Sequence, residues 1–356
     1  MARLGIVGKA NTGKTTLFNA LCGLEAPTAP HPFSTTELNL GVAKIPDERL
    51  EAAARLENSE KVTPATLELV DVPLTPGGSG GLAGEALGRL REMEALLVVL
   101  RSFDDAAVPA DESGLDPVAQ AEDLVLEMAL ADAEVFERRA ERAAKEATAD
   151  SGRKADAEAV ARAAAMLAEG VPLRRAEWTE AELSAFRDMA PLSLKPAVWV
   201  VNVSEDAPPQ EVAAAVAAVV PDGDTVAVLS ARLEEEAAHL DPEDRAELFE
   251  GLGLGKGALA KVVAAANEAM GLLTFFTMGP KETRAWSVRS GSTVRQAAGK
   301  IHSDLERGFI RADVGAIDEV IAAGGWDAAK KAGIVRLEGK DYLSVEGDVI
   351  EVRFSV

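Results

Sequence analysis

The chain has 356 residues, of which 47% are hydrophobic, and it carries a formal net charge of −22 at pH 7. This length allows two or three domains with substantial cores. The acidic balance argues against a general nucleic-acid binder, with a local basic face on the C-terminal part as the open alternative, and we expect no sequence-specific DNA binding. No apolar run reaches the roughly 20 residues that a membrane span needs, and no signal peptide is indicated. We therefore expect a cytoplasmic protein that does not enter a membrane. A single cysteine and three scattered histidines argue against a disulfide framework and against a structural zinc site.

A glycine-rich loop near the start of the chain predicts a phosphate-binding site. Residues 8–15 read GKANTGKT, which has the spacing G-x-x-x-x-G-K-[ST]. An apolar run typical of a short buried strand precedes the loop, and helical spacing follows it. Gly8 and Gly13 allow the backbone to curl so that its N–H groups point at phosphate oxygens. The N-terminus of the following helix adds partial positive charge, which favours phosphate over a chance glycine-rich turn.

The loop residues have expected roles in binding ATP or GTP with Mg²⁺. Lys14 would reach the β- and γ-phosphates and act as a catalytic residue, and Thr15 would place its hydroxyl on Mg²⁺. The expected nucleotide contacts in this loop are Asn11, Thr12, Gly13, Lys14, Thr15 and Thr16.

Two further residues are candidate magnesium ligands. Thr35 lies in a proline-rich segment, residues 26–36, that cannot be helical. As part of an exposed loop it could close over the γ-phosphate, bind Mg²⁺ and assist catalysis, the alternative being a plain surface loop. Asp71 ends a strand predicted over 66–71, where the second magnesium anchor of a phosphate-loop protein is expected. A helix-capping aspartate is the alternative.

The middle of the chain predicts an inserted helical arm. Residues 95–100 form a continuous apolar run typical of a buried parallel strand. Between 116 and 190, alanine, glutamate and arginine dominate and strand signals vanish. An apolar stripe recurs at helical spacing, and its members are Leu124, Met128, Ala131 and Val135. We expect an antiparallel helical pair with solvated charged faces.

Strand patterns resume after the arm and carry the candidate base-binding residues. Predicted strands at 195–202 and 225–229 complete an α/β fold with a mostly parallel sheet. The first ends in Asn202-Val203-Ser204-Glu205, in which Asn202 would tie loops together beside the base and Glu205 would read the base edge. The second ends in Ser230 and Ala231, which would offer backbone contacts to the base.

The C-terminal segment differs in net charge and in residue pattern from the rest of the chain. From Phe275 onward, 12 basic residues balance 12 acidic ones, so that the whole net charge lies in the residues before it. Alternating patterns predict paired strands at 273–277 and 284–288, a helix at 293–305 and a closing strand at 349–354. We expect a small α+β domain with one helix against a sheet.

Four stretches together resemble the Obg-like ATPases of the YchF type, within the translation-factor class of P-loop GTPases. They are the loop at 8–15, Pro32-Phe33-Ser34-Thr35, Asn202-Val203-Ser204-Glu205, and closing-domain segments such as Arg284-Ala285-Trp286 and Phe309-Ile310-Arg311-Ala312. The resemblance implies a P-loop NTPase domain at 1–115 and 191–274, a coiled-coil-like arm at 116–190 and a C-terminal β-grasp (TGS) domain at 275–356. It also implies a preference for ATP and a ribosome as the macromolecular partner.

The stretch from Asn202 to Glu205 bears on the choice of nucleotide. Relatives in the wider class have Asn-Lys-x-Asp, whose aspartate accepts two hydrogen bonds from guanine. Adenine lacks both donors, so the loss of that aspartate removes the advantage of GTP. Because Glu205 is still a carboxylate, GTP binding stays open.

Two departures from the family pattern concern hydrolysis. The family has Asp-x-x-Gly where this chain has Asp71-Val72-Pro73-Leu74. Pro73 has no N–H, and the Cβ of Leu74 restricts the approach of its own N–H to a γ-phosphate. Pro109 stands where the family has a histidine implicated in hydrolysis. We therefore expect a Mg²⁺-dependent ATPase of low intrinsic rate, with a non-hydrolysing nucleotide sensor and a GTPase as alternatives.

Overall fold

The computed structural model describes residues 2–23, 39–72, 84–105, 114–204, 210–252 and 257–355. The strands are β1 (Arg3–Val7), β2 (Asn39–Lys44), β3 (Val62–Thr63), β4 (Thr66–Asp71), β5 (Ala95–Ser102), β6 (Ala197–Val203), β7 (Thr225–Leu229), β8 (Leu272–Thr277), β9 (Thr283–Arg289), β10 (Phe309–Ala316), β11 (Arg336–Glu338) and β12 (Asp348–Phe354). The α-helices are α1 (Lys14–Cys22), α2 (Glu48–Glu57), α3 (Glu85–Arg91), α4 (Pro117–Ala149), α5 (Lys154–Ala168), α6 (Glu180–Phe186), α7 (Gln210–Ala217), α8 (Ala231–Ala238), α9 (Pro242–Gly251), α10 (Leu259–Ala269), α11 (Val294–Ile301), α12 (Ser303–Arg307), α13 (Ile317–Ala323) and α14 (Trp326–Lys331). Among these described helices, none combines the length and the apolarity needed to cross a membrane.

A six-stranded sheet in the order β2-β4-β1-β5-β6-β7 organises one compact unit, residues 2–41 and 68–262. The strands β4, β1, β5, β6 and β7 pair in parallel. Strands β5 and β6 are almost completely buried, as expected of parallel strands that are covered on both faces. The strand order reverses at β1, between β4 and β5, and α/β proteins bind ligands at the carboxyl ends of strands at such a point. The predicted α/β fold with a mostly parallel sheet is confirmed.

The predicted helical arm is also present and belongs to this unit. Helix α4 has 33 residues and begins at Asp116, whose side chain accepts a hydrogen bond from the Val118 N–H. Its first half contributes to the core beside the sheet, through residues such as Leu124 and Met128. Its second half packs Phe136 into a separate core with α5. The arm is therefore continuous with the helix that lines the sheet.

The second compact unit comprises residues 42–67 and residue 263 onward. Its sheet has the order β11-β10-β12-β8-β9-β3, and β8 pairs with β9 in antiparallel register, as predicted. The core between this sheet and α11 contains Phe275, Val294 and Ile350. The predicted α+β class of the C-terminal domain is thus confirmed.

Two details of that prediction are wrong. The single helix expected at 293–305 is divided into α11 and α12, because His302 is extended (φ −163°, ψ 141°) and its Nδ1 accepts the Asp304 N–H at 3.1 Å. The histidine thus caps a new helix. The unit also contains α13 and α14, separated by glycines with positive φ. Helices of seven and six residues are too short to show a clear hydrophobic period.

Candidate functional site

The loop between β1 and α1 is shaped by two glycines. Gly13 precedes α1 with φ +91°, and a Cβ on it would overlap the side-chain amide of Asn202. A Cβ on Gly8 would overlap the Val99 carbonyl oxygen. Asn11 also has a positive φ, 60°, which asparagine tolerates better than most residues. The backbone therefore curls as the sequence predicted, and side chains larger than hydrogen are excluded at both glycines.

Lys14 lies at the first position of α1 and its ammonium group folds back over the loop. The Nζ atom donates to the Lys9 carbonyl at 2.5 Å, and the Thr12 hydroxyl donates to the same oxygen at 3.1 Å. Burial lowers the pKa of Lys14 to about 8, against the opposing effect of the Asp71 carboxylate. A desolvated ammonium that is held at a helix N-terminus is well placed to attract a phosphate oxygen.

The side chains of Thr15 and Asp71 meet directly. The Thr15 hydroxyl donates to Asp71 Oδ2 at 2.9 Å, and Asn39 Nδ2 donates to the same oxygen at 3.2 Å. Asp71 is only 4% exposed, and it lies opposite Ile6 in the parallel pairing of β4 with β1. Thr16 follows in the first turn of α1 and is partly buried. The structure thus brings together two of the three predicted magnesium ligands.

The chemistry of this pair suits Mg²⁺. Magnesium prefers oxygen ligands, dehydrates reluctantly, and is usually bound by one or two protein oxygens together with waters and phosphates of the substrate. A hydroxyl beside a carboxylate satisfies that requirement. No group of three or more histidine, cysteine, aspartate or glutamate side chains that could enclose a metal occurs in the part of the chain that the structure describes.

Asn202 connects the phosphate loop to the start of α8. Its Nδ2 donates to the Thr12 carbonyl at 2.9 Å, and its Oδ1 accepts the Ala231 N–H at 2.9 Å. The side chain is 5% exposed and lies at the end of β6. Because oxygen and amino group are both engaged within the protein, Asn202 acts here on loop geometry, as the sequence argument expected.

Two further predicted base-site residues, Ser230 and Val203, contribute to the protein's own fold. The Ser230 hydroxyl accepts the Leu233 N–H at 3.3 Å and caps α8, and Val203 is buried at the end of β6. Four predicted residues, Thr35, Leu74, Pro109 and Glu205, lie outside the described residues.

Sequence reasoning missed several contacts that support the site. Asn39 at the start of β2 orients Asp71. Asn19 Nδ2 on α1 donates to Glu235 on α8 at 2.8 Å. Lys9 in the loop forms an ion pair with Asp123 on α4 at 2.5 Å. Each of these contacts joins residues far apart in sequence, so no local sequence pattern predicts it.

These features define a P-loop nucleotide-binding protein, and comparison with known proteins gives the family. A model described as a 50S ribosome-binding GTPase matches residues 3–132, and the YchF GTPase C-terminal model, described as a protein of unknown function, matches 272–355. The chain is 37% identical to the ribosome-binding ATPase YchF of Bacillus subtilis, over 99% of both chains. It is 31% identical to Obg-like ATPase 1 of Oryza sativa, over 99% of this chain and 92% of the relative. The solved Schizosaccharomyces pombe YchF GTPase superposes with a TM-score of 0.86 at 26% identity, covering 99% of this chain and 97% of that one. The chain belongs to the YchF family of Obg-like ATPases.

Proposed function

We propose that the protein is a Mg²⁺-dependent ATPase of low intrinsic rate. The observation that carries the proposal is the convergence of Lys14, Thr15 and Asp71 at the carboxyl ends of β1 and β4, with the Thr15 hydroxyl 2.9 Å from the carboxylate. Hydroxyl and carboxylate oxygens next to a loop ammonium match what a triphosphate with its metal requires.

Each residue has a role in that reaction. Lys14 and the backbone N–H groups of 11–16 hold the phosphates and neutralise the charge that develops during transfer. Thr15 and, in the triphosphate state, Thr35 would hold Mg²⁺, and Asp71 would act on it through water. When bound, Mg²⁺ would neutralise phosphate charge as a Lewis acid. Since no side chain stands out as a general base, catalysis relies on positioning and electrostatics.

The base site is proposed to favour adenine. Asn202 positions the phosphate loop against Ala231 through the two hydrogen bonds of its amide. Val203, Glu205 and Ser230 would complete the surroundings of the base. The absence of the guanine-reading aspartate supports ATP, while the carboxylate of Glu205 keeps GTP as the alternative substrate.

We assign the partner and the domain boundaries from the resemblance to the YchF family. Relatives are named ribosome-binding ATPases, and we propose a ribosome as the partner and the cytoplasm as the location. The P-loop domain would span 1–115 and 191–274, the arm 116–190 and the TGS domain 275–356.

A second candidate function is a nucleotide sensor that does not hydrolyse its ligand. Leu74 and Pro109, which replace the family's glycine and histidine, favour it. Both candidates require the same binding site. Single-turnover hydrolysis with enzyme in excess over ATP separates them, because a sensor returns the ATP unchanged.

Replacing Lys14 tests the proposed ATPase. We expect Lys14→Ala to lower steady-state ATP turnover by about 100-fold or more, since a positioned charge is lost at the transferring phosphate. Lys261→Ala is the matched control, because Lys261 is exposed on α10, and it should keep the wild-type rate. Equal turnover in wild type and Lys14→Ala would contradict the proposal.

A further inference from the structure

The carboxylate of Asp71 is held in the structure through one of its two oxygens. Oδ2 accepts the Thr15 hydroxyl at 2.9 Å and the Asn39 Nδ2 at 3.2 Å. Among the described residues, none donates a hydrogen bond to Oδ1. An ionised carboxylate can accept about four hydrogen bonds, shared between its two oxygens. Oδ1 therefore keeps its capacity to accept hydrogen bonds from a ligand.

Asn39 reaches Asp71 from a strand that is fixed against α1. Asn39 begins β2, which is next to β4 in the sheet, and Asp71 ends β4. Asn39 and Gly41 share one face of β2, because alternate residues of a strand point the same way. A Cβ on Gly41 would overlap the Cys22 sulfur and lie 2.8 Å from the Phe18 ring, so this face packs closely on α1. The backbone of β2 thus holds the Asn39 amide at a set distance from Asp71.

The uncharged amide of Asn39 suits a carboxylate that serves a metal. An arginine or lysine at this position would form an ion pair with Asp71 and compete with a bound cation for it. An amide donates a hydrogen bond without adding charge. The Thr15 hydroxyl, which is the other donor to Oδ2, is also uncharged. Both donors fix the carboxylate and leave its negative charge to attract a divalent cation.

A role for Asn39 in the local shape of β2 alone would predict a different partner. Asparagine side chains with local roles bond to backbone groups close to them in sequence. The bond from Asn39 Nδ2 instead joins two side chains that are 32 residues apart, and its acceptor is the predicted metal anchor. The contact therefore orients the carboxylate of Asp71.

We propose that Asn39 is a positioning residue for Mg²⁺, which fixes Asp71 through Oδ2 and so keeps Oδ1 available to water of the hydrated ion. The proposal rests on the proposed function and deepens it, because it adds a residue to the site that binds Mg²⁺ with ATP. Hydrogen-bond partners of metal-binding carboxylates typically contribute about 10- to 100-fold to metal affinity. In this role Asn39 contacts neither the metal nor the nucleotide and acts through Asp71.

The test compares the full-length wild type with Asn39→Ala in binding the non-hydrolysable ATP analogue AMP-PNP. Affinity is measured by calorimetry at saturating Mg²⁺ and again with a chelator, and the ratio of the two affinities is the gain due to Mg²⁺. Because the coupling between two ligands is reciprocal, this gain reports the affinity of the site for Mg²⁺. Leu40→Ala is the matched control, since Leu40 is the next residue of β2 and is 61% exposed.

We expect Asn39→Ala to lower the gain due to Mg²⁺ by about 10- to 100-fold, while its affinity in chelator stays within about twofold of wild type. Leu40→Ala should keep the wild-type gain. A gain in Asn39→Ala equal to that of wild type would overturn the proposal. An equal loss of affinity with and without Mg²⁺ would overturn it too, since a general distortion of the site acts on both.

A double-mutant cycle with Asp71→Asn tests whether Asn39 acts through that carboxylate. If it does, Asn39→Ala has no further effect on the gain once Asp71 is replaced, so the two losses are not additive. Additive losses would show that Asn39 acts by another route and would overturn the proposal. If urea unfolding shows that Asn39→Ala does not fold, Asn39→Ser takes its place, because serine keeps a polar side chain but is shorter and lacks the amide. Its gain should then fall in the same direction, and an unchanged gain would overturn the proposal.

The proposal and the function on which it rests fail differently. If wild type binds AMP-PNP with no gain due to Mg²⁺, the metal site itself is wrong, and the role of Asn39 is wrong with it. If wild type shows the gain and Asn39→Ala shows it equally, the metal site stands and the positioning role is wrong.

Discussion

Lys14 shows how one side chain can be prepared for its ligand by its surroundings. Its Nζ donates to a loop carbonyl, and burial lowers its pKa to about 8 although Asp71 favours the charged form. A bound triphosphate would favour the protonated ammonium strongly, so the pKa of Lys14 must rise on binding. Binding of the triphosphate and protonation of Lys14 are therefore linked above pH 8.

This linkage predicts the pH dependence of ATP binding. We expect the contribution of Lys14 to be constant below pH 8 and ATP affinity to fall above it, by up to about tenfold per pH unit, because the unliganded lysine then loses its proton. Calorimetric titration between pH 7 and 10 measures this effect. Lys14→Arg is the control, since its guanidinium stays protonated throughout. The same decline in both proteins would show that another group is responsible.

At the scale of elements, Asp132 joins α4 to the end of α3. It is completely buried, accepts Arg91 Nη1 at 2.6 Å, and also accepts the N–H groups of Leu192 and Ser193 and the Ser193 hydroxyl. Arg91 also donates to the Ala131 carbonyl. Nearby, burial lowers the pKa of Lys195 to about 8, and its ammonium group donates to the Arg91 carbonyl. This network ties α4 to the end of α3 and to the segment that precedes β6.

Removing the charge of Asp132 should destabilise the protein. Asp132→Asn leaves Arg91 without its counter-charge and presents amide hydrogens to backbone donors. We expect a loss of about 3 kcal/mol in the free energy of unfolding, the lower end for breaking a buried pair, because the Arg91 side chain is 18% exposed. Urea unfolding followed by tryptophan fluorescence measures it. Glu134→Gln, exposed on the same helix, should shift stability by less than about 0.5 kcal/mol, and an equally small shift for Asp132→Asn would refute the role of the network.

At the scale of the whole molecule, local sequence patterns predicted those features whose structure depends on residues close together in sequence. The phosphate loop, the buried strands and the long helical arm each follow from residues within a short window. The bridging contacts of Asn202 and Asp132 could be seen only in the structure, because the fold brings together residues that are 29 to 190 positions apart in sequence. The break at His302 was missed for another reason. A histidine that caps the helix following it leaves the apolar period of the sequence almost intact.

The central claim is a site that binds ATP with Mg²⁺ through Lys14, Thr15 and Asp71. The most direct test titrates one preparation with ATP and with GTP, each in the presence of Mg²⁺ and of a chelator, and repeats the series with Lys14→Ala. The account predicts tighter binding of ATP than of GTP, a marked loss of affinity without Mg²⁺, and a further loss in the variant. Tighter binding of GTP would contradict the assigned nucleotide. Binding that is indifferent to both Mg²⁺ and Lys14 would contradict the site itself.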